Sequence, residues 1–247
     1  MLERLHEINR YNYYFQFTLN PYNKELEVDV PRKNSIIDTF RQLSDKIGSE
    51  RVVWRYDPIL IANGINTDYH IRYFEAIARK LSTFTEKCMI SFIDHYDKTN
   101  RNLKDTGSRS LSETEIFTIA KQFGEIGKSC NINIQTCVEN VDLSKFGISQ
   151  GSCIDKTLIE SITGYPIKSK KDKNQRQGCN CIESIDIGEY NTCLHNCLYC
   201  YATTSSAKAH SKQMQHNPNS PLLIGDLTET DIIRDRTVSS FKQNTLF

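Results

Sequence analysis

Five of the nine cysteines lie between positions 179 and 200: Cys179, Cys181, Cys193, Cys197 and Cys200. The last three read Cys193-Leu194-His195-Asn196-Cys197-Leu198-Tyr199-Cys200, a Cys-x3-Cys-x2-Cys spacing. Thiolate is a soft ligand, and several thiolates on one short loop can converge on a soft metal centre. Iron–sulfur clusters are held in this way, by closely spaced cysteines on a short run. The spacing leaves three readings open. A zinc site is usually built from two Cys-x2-4-Cys knuckles separated by a loop, which this pattern is not. Buried thiols call for an apolar setting, whereas Glu189, Asn191, Thr192, His195 and Asn196 are polar. An iron–sulfur cluster with three thiolate ligands and one open iron fits the pattern best.

Cys179 and Cys181 admit two roles. They bind a second metal together with Cys137 or Cys153, or one of them supplies a fourth ligand to the loop's centre. Successive side chains of an extended segment point apart, so packing alone gives little reason for a Cys-x-Cys pair. Cys88 sits inside a strand pattern and Cys130 near a helix end. Both read as small buried hydrophobes.

The elements that must position these groups follow a βα rhythm. Strands are predicted at 13–19, 51–56, 87–93 and 131–136, roughly forty residues apart. Between them, apolar residues recur at helical spacing at 35–47 and 68–81. A third helix is predicted to open on the capping-box sequence Ser112-Glu113-Thr114-Glu115. Residues 1–9 also read as helical. Strand and helix in alternation imply a mainly parallel sheet, with chemistry at the C-terminal strand ends. Those ends carry Thr18, Arg55, Tyr56, Asp57, Asp94, His95, Cys137 and Glu139. Four units are too few for an eight-fold barrel. The fold class expected is α/β, a partial (β/α) TIM-like barrel with a C-terminal cysteine-rich loop.

Three regions are expected: a barrel body over 1–165, a cluster-binding segment over 166–202, and a tail over 203–247 with one short helix, placed at 230–241. A further short helix is expected at 155–162. Within the second region, Lys168 to Arg176 is a polar, mostly basic run. It reads as a connecting loop, with an anion-binding loop as the lesser alternative. Pro221 to Gly225 is expected to dock onto the body.

Lysine plus arginine number 31 and aspartate plus glutamate 30, a net charge of +1. No global basic field points to nucleic acid. No run approaches the ~18 apolar residues that cross a membrane, and no secretory signal is visible. A cytoplasmic location is expected, where thiols stay reduced.

The cysteine loop resembles the radical S-adenosylmethionine signature, three cysteines with an aromatic residue, Tyr199, before the last. The resemblance implies a [4Fe–4S] cluster on Cys193, Cys197 and Cys200, S-adenosylmethionine at the open iron, and a flavodoxin- or ferredoxin-like reductant as partner. Arg55, Asp57, Asp94 and Tyr199 are then the candidate cofactor-binding residues. His195 would contact cluster sulfur or stand exposed, and Tyr201 would help shield the site. A closer likeness extends over about residues 10–235. Tyr14-Phe15-Gln16-Phe17-Thr18-Leu19, Arg55-Tyr56-Asp57-Pro58-Ile59, Ser91-Phe92-Ile93-Asp94, Cys179-Asn180-Cys181, Ser184-Ile185-Asp186-Ile187-Gly188 and Cys193 to Ala202 resemble domain of unknown function family 1848. That likeness implies an iron–sulfur protein with a barrel-like body, distantly similar to spore photoproduct lyase and DNA-repair photolyase-like proteins. Typical members carry a further N-terminal segment, so the chain is expected to lack the first strands. The usual radical enzymes place the cysteine loop after the first strand; here it comes last. The alternatives are an electron-transfer or redox-sensing protein with a closed cluster, and a zinc-stabilised binding module.

Overall fold

The computed structural model describes residues 1–94, 97–139 and 141–243. Five parallel strands run in sequence order: β1 (Phe15–Thr18), β2 (Val52–Ile59), β3 (Lys87–Phe92), β4 (Asn133–Thr136) and β5 (Ser149–Gln150). Each strand pairs with its successor, and β1 and β5 are the two edges. The protein is therefore α/β with an open sheet. The strand order suits a barrel wall, but the sheet does not close among the described residues.

Helices α1 (Lys33–Ile47), α2 (Thr67–Leu81), α3 (Asp97–Leu103), α4 (Glu113–Ser129), α5 (Lys156–Thr163) and α6 (Ser206–Gln215) complete the fold, with a 3-10 helix at Leu2–Ile8. Helices α1, α2 and α4 bury their apolar stripes on one sheet face. There Val52, Trp54 and Tyr56 of β2 and Cys88 and Ile90 of β3 meet Phe40, Phe74 and Phe123. The Phe74 and Phe123 rings stack at 3.7 Å, and Trp54 stacks on Phe74 at 4.8 Å. The Trp54 indole N–H donates to Leu19 O at 2.9 Å, so the ring buries without an orphaned donor. Ser112 and Glu115 form the predicted capping box of α4.

Gly124 and Gly127 let α4 approach its neighbours. A Cβ at Gly124 would lie 2.0 Å from Phe146 O, and one at Gly127 2.6 Å from Ile134 Cδ1.

The second sheet face is different. A parallel sheet usually has apolar runs on both faces. Side chains alternate along a strand, and the register β1–β2–β3–β4 sets Gln16 beside Val53, Arg55 beside Met89, and Met89 beside Gln135. Among the strand residues, Gln16, Arg55, Asp57, Gln135 and Cys137 thus share a face with Val53 and Met89, and Ile154, Ile159 and Ile162 line the cavity beside Gln16 and Arg55. The segment leading into α5 lies across this face. Tyr14 Oη and Gln16 Nε2 each donate to Cys153 O at 2.5 Å, and Lys87 Nζ pairs with Asp155 at 2.5 Å.

Several expectations need correction. β2 continues through Asp57-Pro58 to Ile59, with an irregularity between Tyr56 and Ile59. β5 and α3 have no clear sequence signal. Tyr56, expected at the functional strand ends, is wholly buried on the helix side, where its hydroxyl meets His70 Nδ1 at 2.8 Å. The tail helix expected at 230–241 is not formed: that stretch is irregular, with Ile232, Ile233 and Val238 exposed, and a helix stands at Ser206–Gln215 (α6) instead. Pro221 to Gly225 folds back on the end of α6 through Gly225 N to Gln215 O at 3.1 Å. Among the described residues no helix is long and apolar enough to cross a membrane.

Candidate metal and cofactor site

The loop at 193–200 is shaped locally before it is docked. Asn191 and Asn196 take left-handed backbone conformations, φ 59° and 51°, which asparagine tolerates better than most residues. Asn191 closes the stem: its N–H donates to Ala202 O at 3.0 Å, and its side-chain oxygen accepts from Thr204 N at 2.6 Å. Cys200 N donates to Cys197 O at 3.0 Å, which turns the chain between those two thiols.

The loop then docks on the connection between β1 and α1. Leu198 N donates to Leu26 O at 2.9 Å and Asp29 N to His195 O at 3.0 Å, around an antiparallel bridge between Glu27 and Cys197. Asn196 Nδ2 donates to Asp29 Oδ2 at 2.6 Å. Beneath it, Leu198 and Tyr199 pack on a second, smaller apolar cluster of Tyr22, Leu26, Leu60, Ile65 and Leu103. The Tyr22 and Tyr199 rings meet edge to face at 5.6 Å.

One polar knot ties the loop to the strand ends. The Tyr199 hydroxyl donates to the Glu27 carboxylate and accepts from Asn20 Nδ2 at 3.2 Å. Asn20 holds the β2 backbone as well, donating to Asp57 O at 2.8 Å and accepting from Asp57 N at 2.9 Å. Glu27, 3% exposed, also pairs with Lys33. Burial pushes the Tyr199 hydroxyl well above its usual range. Burial, then the Glu27 charge, pushes the Cys197 thiol up to about 12, and the nearby Cys200 and Cys193 add to the shift. Cys193 is exposed, and Cys197 and Cys200 are half-buried. A cavity of about 500 Å³ opens beside Cys197, lined by Glu27, Lys33, Asn20, Thr18, Cys197 and His195. His195 is an exposed residue at its rim.

The predicted strand-end residues form a second polar group. Arg55 pairs with Asp57, which accepts from the Ser91 hydroxyl. Burial raises the Tyr201 hydroxyl pKa; Arg55 opposes that shift, and Asp57 and Cys200 add to it. The Arg55–Asp57 pair thus sits beside the end of the cysteine loop. Asp94 pairs instead with Arg176. His95 lies outside the described residues. Glu139 accepts from Phe92 N at 2.9 Å, and burial raises its carboxyl to about 7.

Cys179 and Cys181 are not grouped with the loop. Both are buried, at 4% and 5% exposure. Their electrostatic neighbours are Cys137 and Cys153. The basic run positions them: Asp172 N donates to Cys181 O at 2.9 Å and Glu183 N to Lys170 O at 2.9 Å. Through these bonds the run clamps the cysteine segment by its backbone. Cys88 and Cys130 lie in the helix-side core, as expected. Among the described residues no three His, Cys, Asp or Glu side chains already face a common point where a metal ion would sit.

A family model described as a domain of unknown function (DUF1848) matches residues 1–202. The chain belongs to this family. Among curated proteins and among solved structures no match is found. The DUF1848 match takes in both cysteine groups, the polar sheet face and the docked loop.

Sequence reasoning missed the DUF1848 chain's Asn20, Glu27 and Lys33. They follow the first strand, in the connection that runs from Asn20 to the start of α1 at Lys33. The signal available was position alone, since loops after the C-terminal ends of parallel strands are where sites collect.

Proposed function

We propose that Cys193, Cys197 and Cys200 hold a [4Fe–4S] cluster with one open iron, in an enzyme resembling the radical S-adenosylmethionine group. The observation that carries this reading is the docked loop. It brings the three-cysteine stretch to the strand ends and seats Cys197 on a cavity of about 500 Å³. That volume falls within the roughly 300–1,000 Å³ of ordinary ligand pockets. The donor set fits the group: three soft sulfurs and no hard ligand among them. Cys179 and Cys181 keep company with Cys137 and Cys153. That favours a three-thiolate centre over a closed one serving only electron transfer.

When bound, such a cluster supplies one electron to a sulfonium ligand chelated at its open iron. The chain's own groups have definite tasks. Glu27 offers a carboxylate to an ammonium group, and Lys33 an ammonium to a carboxylate. Tyr199 fixes the Glu27 carboxylate and closes the apolar side of the cavity against water. Arg55 and Asp57, next to Tyr201, are placed to bind a further polar group of a substrate. Exposed Cys193 marks the side from which a flavodoxin- or ferredoxin-like donor would deliver electrons.

The test is anaerobic reconstitution with iron and sulfide, followed by electron paramagnetic resonance of the reduced protein with and without S-adenosylmethionine. A cubane signal that shifts with the cofactor and is lost in Cys197→Ala is expected. A signal that ignores the cofactor would favour the closed cluster, and stoichiometric zinc without any cluster would refute both.

A further inference from the structure

Four cysteines outside the loop come together from separate stretches of chain. Cys137 follows β4, Cys153 follows β5, and Cys179 and Cys181 follow the basic run. The Cys137 and Cys153 sulfurs are 3.5 Å apart. Ile154 N, next to Cys153 in the chain, donates to Cys181 Sγ at 3.3 Å, and the Cys181 amide is 3.4 Å from Cys179 Sγ. We propose that Cys137, Cys153, Cys179 and Cys181 form a second metal site, a four-thiolate centre for a soft divalent cation of the zinc class.

Three observations support it. First, the setting is not a core. Cys88 and Cys130 show what packed thiols look like here, set among isoleucine and phenylalanine on the helix side. Cys137 and Cys153 lie over the polar sheet face, near Arg55 and Gln16, and neither Cys179 nor Cys181 belongs to the helix-side core. Second, backbone N–H groups point at the sulfurs: Ile154 N to Cys181 Sγ at 3.3 Å and Cys181 N to Cys179 Sγ at 3.4 Å. Such bonds stabilise sulfur that carries negative charge, as metal-bound thiolate does. Third, the same face holds buried polar atoms without partners, Gln16 Oε1, Gln135 Oε1 and Arg55 Nε. Buried polar atoms are ordinarily satisfied, so the face is organised around more than protein–protein contacts.

As protonated thiols Cys137 and Cys153 bond to each other, and the four sulfurs do not yet face one point. Loading breaks four S–H bonds, forms four metal–sulfur bonds and releases four protons to solvent. Rotation about the cysteine side-chain bonds is the movement required. A closed four-coordinate site of this kind is structural. It would pin the end of β4, the β5 connection and the cysteine segment together, and so fix the start of the chain that leads to Cys193. The proposal is independent of what the loop holds.

The test uses the full chain with Cys193, Cys197 and Cys200 all changed to Ala, reduced and anaerobic. Titration with Co²⁺ should give the visible bands of tetrahedral thiolate cobalt, saturating at one equivalent and displaced by Zn²⁺. Adding Cys153→Ser should weaken binding by more than the roughly 10–100-fold that loss of an outer partner costs. In the same parent, one equivalent of Zn²⁺ should slow alkylation of the four thiols, with a chelator restoring it. This second measurement decides the matter if the Cys153 variant does not fold. Absence of thiolate bands, bands that survive Cys153→Ser, or alkylation indifferent to Zn²⁺ would each overturn the proposal.

Discussion

Replacing Tyr199 with Phe removes one hydroxyl from the knot that seats the cysteine loop. The ring and its edge contact with Tyr22 remain. What is lost is the donor to Glu27, a carboxylate only 3% exposed that keeps Lys33 as its ion-pair partner. Hydrogen bonds to charged groups contribute about 1.5–3 kcal/mol. A loss of about 2 kcal/mol from the docked state corresponds to a roughly 30-fold rise in loop opening, at about 1.4 kcal/mol per tenfold. Docked Cys197 reacts slowly because burial and Glu27 hold its thiol at about 12. Its alkylation rate in the reduced, metal-free chain therefore reports opening. Tyr199→Phe should accelerate Cys197 by about that factor and leave buried Cys88 unchanged. Glu27→Gln should accelerate it further, because it also removes the charge that helps hold the Cys197 thiol up, and the double variant should fall short of the sum, because the two groups share one bond. An acceleration of less than about threefold would refute the bond's role in docking.

Three further outcomes follow from the frame. His70 is wholly buried, accepting from Tyr56 Oη and donating to Leu60 O, and burial lowers its pKa to about 4 from 6.5. Its neutral form stabilises the fold above pH ~6.5, and that stability drains as pH falls toward 4, about 3 kcal/mol in all. Urea unfolding at several pH values should show this slope, and His70→Gln should flatten it. Gly124→Ala gains up to ~1 kcal/mol of helix propensity but sets a methyl group 2.0 Å from Phe146 O. A net loss of about 1–2 kcal/mol is expected in the same assay, and a stabilised variant would mean that the 144–146 turn yields freely. Ser112→Ala breaks the capping box and should cost about 1 kcal/mol, read as a lower thermal midpoint; an unchanged midpoint would show that the cap contributes nothing.

The βα rhythm was legible because helix stripes and strand runs such as Val52 to Tyr56 are set by local sequence. The two-residue β5 was not, since Ser149 and Gln150 gain their strand character only by pairing with Gln135 and Thr136. The helix expected at 230–241 fails for a related reason: its apolar residues have no surface to cover and stay exposed. At the site, cysteine spacing singled out the loop thiols but not their company. Which thiols meet depends on chain crossings, so the pairing of Cys137 with Cys153 is a property of the sheet rather than of the sequence interval. Glu27 escaped notice because its importance comes from a tyrosine 172 residues away.

That separation has a consequence for how the molecule is made. The seat for the cysteine loop is synthesised early and its occupant late, so Tyr22 and Leu26 must wait for Leu198 and Tyr199. Long-range contacts of this kind form after local ones, and domains assemble from the N-terminal side during synthesis. The βα frame can be complete while the loop is still unformed. Docking of the loop is then the closing step of folding, performed on a finished platform.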